Sequence, residues 1–171
     1  MTFLKALAIA GAFIAMITDM RWGKIYNWLT FPLIVVGLSL NAWWFGWNGL
    51  GMSIVGTIMG IIFYLGFAYI GAFGMGDVKL MASIGALGGL KFVVSAFLYT
   101  SVIGIPHALF IQFLNFGKNA PGMLLTSLVT RAFLEKNIQN DNETLKYHYY
   151  LGIDILLGTI LAFLIEIPLG F

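Results

Sequence analysis

Of 171 residues, 60% are hydrophobic and only 9% charged, against about 25% charged in a soluble domain; nine Lys/Arg and seven Asp/Glu cannot cover a water-facing surface, so the composition excludes a soluble globular protein and indicates an integral membrane protein. The chain has no cysteine, which rules out disulfides and thiolate metal sites. A net charge of +2, with basic residues spread in ones and twos, offers no nucleic-acid surface.

A membrane helix needs about 20 apolar residues, and six stretches supply them. The first expected span covers roughly 2–20. Lys5 followed by an apolar run resembles a secretory signal, but the run continues to Ile17 and ends in Asp19, so an uncleaved helix is expected. After a polar turn, Arg21-Trp22-Gly23-Lys24, the second span covers roughly 27–45 and ends in the aromatic cluster Trp43-Trp44-Phe45-Gly46-Trp47, a headgroup-level marker. The third covers roughly 50–72, with Gly56 and Gly60 spaced for close helix packing. The fourth, roughly 77–89, is short and carries Gly85, Gly88 and Gly89; the fifth, roughly 92–115, contains Pro106, which is expected to kink it. Residues 117–150 form a long polar loop whose apolar positions recur at near-helical spacing, as in a helix lying on the membrane surface. The sixth span covers roughly 151–169.

Six spans put the turns at 21–26 and 73–76 and the 117–150 loop on one side. That side holds Arg21, Lys24, Lys79, Lys118, Arg131, Lys136 and Lys146, and the other holds Lys5 and Lys91. The positive-inside rule makes the shared side cytosolic and both termini extracytoplasmic. Asp19 and Asp77 then fall at the cytosolic mouths of their helices, at similar depth. An acid at such a place is costly unless something uses it. Two carboxylates brought together cannot both ionise comfortably and titrate as a coupled pair. One can take a proton from water while the other donates to a scissile carbonyl. The plain alternative is that both are ordinary end-of-helix residues, with Asp77 favoured by the dipole at a helix N-terminus.

The local sequence separates these alternatives. Gly74-Met75-Gly76-Asp77-Val78-Lys79-Leu80 resembles the GxGD signature of the type IV prepilin peptidases, and Asp19-Met20-Arg21-Trp22-Gly23-Lys24-Ile25-Tyr26-Asn27-Trp28-Leu29-Thr30 is similar to that family's other aspartate motif. The two motifs occur in the family's order, at the expected helix ends. The presenilin-like proteases share GxGD but not the second motif. The resemblance implies an aspartic endopeptidase of the prokaryotic inner membrane. It would have Asp19 and Asp77 as catalytic residues, Gly74 and Gly76 shaping the supporting loop, and neither metal nor organic cofactor. Its partners would be pilin-like precursors with a basic leader and a hydrophobic helix, together with membrane lipid. Tyr26 departs from the family's usual proline. The gap between the first two spans is only a few residues and lacks the paired cysteines of long bacterial members, so N-methyltransferase activity is not expected.

Among other polar residues, Lys79 is expected to anchor at the headgroups or to touch substrate. Glu135, Asp141 and Glu143 could attract the basic leader. Asp154 is expected at a hydrated helix start, and His107 as a hydrogen-bonded packing residue. A different functional class, a small ion- or proton-coupled transporter, could use the same acids, although transporters favour midplane acids and repeated halves.

Overall fold

The computed structural model describes residues 2–69, 74–116 and 150–165. All regular structure among them is helical: α1 Thr2–Trp22, α2 Asn27–Tyr69, α3 Met75–Phe116 and α4 Leu151–Leu164. The first two, and Met75–Ile111 of α3, are long and apolar enough to cross a membrane; α4 is apolar but shorter. The protein is an all-α integral membrane protein.

Two of these helices are too long to run straight. The 43 residues of α2 would extend about 65 Å, twice the ~30 Å of bilayer hydrocarbon. Instead α2 breaks at Gly46 (φ 61, ψ −147) and α3 breaks at Gly89 (φ 76, ψ −175), backbone conformations that side chains with a Cβ rarely adopt. The packing shows that both breaks are reversals. A Cβ on Gly49 would strike the Asn41 carbonyl, a residue about 12 Å away along a straight helix. Gly60 touches Met81, while Tyr64, one turn beyond Gly60, packs its ring on Phe97 at 5.8 Å. Met81 and Phe97 reach neighbouring turns of α2 only if α3 doubles back between them.

The four helices therefore supply six helical segments in the expected order, with single bent glycines as two of the connectors. The break in α3 lies at Gly89, where the expected fourth span ends, and Pro106 is carried inside the second limb. The last segment differs from the expected 151–169: α4 stops at Leu164, and Ile165 is already extended (φ −123, ψ 90). Pro168 follows closely, and a helix commonly stops one to three residues before a proline. The polar loop expected at 117–150, with its surface helix, lies outside the described residues apart from Tyr150.

The first limb of α3 is the centre of the bundle, with residues 80 through 87 all buried, as expected of a helix that is apolar on every side. Both limbs of α2 lie against it, and backbone meets backbone there. A Cβ on Gly37 would fall 2.8 Å from the Ala86 carbonyl carbon, and one on Gly85 would strike Gly56. The Gly56 and Gly60 spacing is thus a packing device. Gly85→Leu should destabilise the fold by about 1–3 kcal/mol or more, as overpacked cores do, read as a lowered midpoint of thermal unfolding in detergent. The carbonyls exposed where α3 breaks must be satisfied away from water. Asn41 donates to Ala86 O at 3.0 Å and Leu87 O at 3.3 Å, and the Ser53 hydroxyl donates to Ala86 O as well. α1 closes the bundle with a buried stripe of Leu4, Ala8, Ala12 and Ala15.

Candidate functional site

Asp19 belongs to the last turn of α1. That helix ends at Gly23, whose positive φ of 61 lets its N–H donate to the Asp19 carbonyl at 2.7 Å, a left-handed glycine cap. The half-buried Asp19 carboxylate turns toward α4, where Oδ2 accepts the Gly152 N–H at 3.1 Å. First-turn amides have no partner within their own helix and point out of its positive end, so α4 offers the carboxylate a ready donor.

Asp77 occupies the first turn of α3 and is only 9% exposed. It forms a reciprocal cap: the Gly74 N–H donates to Asp77 Oδ2 at 2.9 Å, and the Asp77 N–H donates to the Gly74 carbonyl at 3.1 Å. The Asp77 side chain supplies the returning half of a capping box, while the Asp77 N–H bonds the Gly74 backbone carbonyl, since glycine has no side chain to accept it. The flanking glycines serve close approach rather than unusual dihedral angles, since neither has positive φ. A Cβ on Gly74 would lie 3.3 Å from Asp77 Oδ2, and a Cβ on Gly76 would lie 3.0 Å from Ile25 Cβ. Gly76 thereby lets the start of α3 rest on the turn that follows α1.

That contact brings the two acids together. Asp19, residues 23–27 and residues 74–77 line one pocket of about 360 Å³. Lys24 and Tyr26 are among them, so a basic residue expected to set topology contributes to the same pocket as both acids. A second cavity, about 290 Å³, lies at the opposite end between the two bends and is lined by no titratable side chain. Lys79 is not part of the pocket lining. Its Nζ donates to Asn27 Oδ1 at 2.9 Å and stands 5.6 Å above the Phe31 ring, which ties the start of α3 to the start of α2. Glu135, Asp141 and Glu143 lie outside the described residues.

Two residues depart from expectation. Asp154 is not at a hydrated helix start: it is 1% exposed, and its Oδ1 is 2.9 Å from His107 Nδ1. The cause is tertiary: the first turn of α4 lies against both α1 and the second limb of α3. Gly152 was not singled out by sequence reasoning. Its signal is a small residue at the start of the last span, at the depth of Asp19. Among the described residues, no three His, Asp or Glu side chains gather closely enough to hold a metal ion.

A family model described as the type IV leader peptidase family matches residues 6–109, a stretch that includes both aspartates. Two curated proteins of Burkholderia pseudomallei, strains 1026b and K96243, each named prepilin leader peptidase/N-methyltransferase, are 31% identical to the chain over 109 residues. The match covers 59% of this chain but 35% of each relative, so the chain corresponds to about a third of their length. No solved structure matches it.

Proposed function

Because this chain belongs to the type IV leader peptidase family, we propose that it is a membrane-embedded aspartic endopeptidase that removes the basic leader from type IV pilin-like precursors. The observation that carries this reading is the shared pocket of Asp19 and Asp77, delivered by separate helices to one end of the bundle. The six helical segments span the inner membrane of a prokaryote, with the pocket at the cytosolic face and both termini outside, as the distribution of basic residues favours. The hydrophobic helix of the precursor docks laterally among lipids, which sets the bond to be cut at pocket depth.

In the reaction, one carboxylate accepts a proton from the attacking water while the other, protonated, donates to the scissile carbonyl oxygen. The Gly152 and Gly74 amides orient the two groups through Oδ2 of each. Cleavage then requires no metal or organic cofactor. The test is reconstitution of the purified chain in vesicles with a pilin-like precursor. Mass spectrometry should find a single cut between the basic leader and the hydrophobic segment, and an uncut precursor would overturn the reading.

Methyl transfer is not proposed, since α1 and α2 are joined only by residues 23–26 and no cysteine is present. Incubation with labelled S-adenosylmethionine and processed pilin should leave the new N-terminus unlabelled. Glu135, Asp141 and Glu143 are proposed to attract the basic leader by charge. Neutralising all three should slow processing, with the difference vanishing at high salt as surface charges are screened.

A further inference from the structure

We infer that His107 and Asp154 form a positioning pair that fixes the first turn of α4, so that the Gly152 amide meets Asp19. The inference deepens the peptidase reading and rests on Asp19 being half of the catalytic pair.

Asp154 is 1% exposed and is not among the residues that line the acid pocket. A buried carboxylate is costly unless paired, and nothing in the cleavage chemistry uses this one. Its partner comes from the second limb of α3, where the His107 side chain, 30% exposed, reaches it at 2.9 Å. Asp154 lies two residues beyond Gly152, in the first turn of α4. Tyr150 supplies no side-chain cap to that turn, and the Ile153 N–H donates to the Tyr150 carbonyl at 3.3 Å. Two side-chain carboxylates anchor the turn to other helices, Asp19 through the Gly152 amide and Asp154 through His107. The anchors are two residues apart, so a shift in one moves the other. Farther along, Gly158 rests against Thr100 and Ala96, and Leu151 and Ile155 are buried in the core; the polar anchors act on top of this packing, where direction as well as distance must be fixed.

The test replaces the pair by apolar residues, which removes the buried charge and is often neutral or stabilising. In His107→Leu/Asp154→Leu, kcat on a pilin-like precursor should fall about tenfold or more, as for a misplaced reacting group, with KM unchanged. Hydrogen exchange at the Gly152 amide, read by NMR in detergent, should quicken by a similar factor. A folded double variant with wild-type kcat, a change confined to KM, or undisturbed Gly152 protection overturns the proposal. His107→Asn, whose Nδ2 falls where Nδ1 stands, decides the matter if the double variant does not fold. It should keep Gly152 protection and hold kcat within about threefold, the loss of a modest hydrogen bond, and a loss equal to that of His107→Ala overturns the pairing. The exchange measurement needs no turnover, so it judges the pair even if the wild-type chain proves not to cut precursors.

Discussion

Asp19→Asn and Asp77→Asn should each lower kcat for leader cleavage by about 10²–10⁴-fold, the usual contribution of a positioned acid or base. Asparagine keeps the side-chain shape and an oxygen that can accept the Gly152 or Gly74 amide, so both variants should fold and insert as the wild type does. What asparagine cannot do is give or take the proton. Members of a catalytic unit are strongly non-additive, so the double variant should be little worse than either single one. The measurement is initial cleavage rate on a pilin-like precursor, with thermal unfolding as the control for folding. If one single variant keeps near-wild-type turnover, that aspartate is a helix-end residue and the two-carboxylate mechanism fails.

The parts of this architecture governed by composition and local chemistry were readable from the chain. Apolar runs pointed to membrane helices, and three described helices are long and apolar enough to cross a membrane. Glycine spacing at 56 and 60 anticipated the contact of α2 with the centre of the bundle, because only residues without bulk allow backbones so close. The two motifs marked Asp19 and Asp77, whose shared pocket the fold then displays. What could not be read depends on tertiary register. The break of α3 at Gly89 falls where the apolar runs separate the fourth and fifth spans, but that Asn41 and Ser53 of α2 satisfy the carbonyl of Ala86 beside it has no local signal. Asp154 looked hydrated because nothing local reveals that His107, 47 positions earlier, stands beside it. The bond from Lys79 to Asn27 has no local signal either, because Asn27 lies on another helix. Gly152 carries no motif at all; it matters only because α1 ends where α4 begins.

That last residue gives the second large expected effect. Gly152→Val should lower kcat by about 10²-fold, the scale associated with displacing a reacting group by roughly an ångström, while KM stays near wild type. A Cβ at Gly152 would lie 3.0 Å from Asp19 Oδ2 and 3.2 Å from both Asp19 Cβ and Met16 Cα. Even alanine is therefore tight, and the two further methyl groups of valine have no room on that side. Either α4 backs away, which lengthens the amide bond to Asp19, or the Asp19 side chain rotates out of line with Asp77. Both outcomes damage the geometry of the acid pair and leave the lateral docking of the precursor helix alone. Gly66→Val is the matched control, because a Cβ there meets nothing within 4 Å; it should leave turnover within about twofold, as ordinary surface substitutions do. Equal loss in both variants would mean that glycine-to-valine changes act through general helix packing. A Gly152 variant with full turnover would show that the amide of α4 does not hold Asp19 during the reaction.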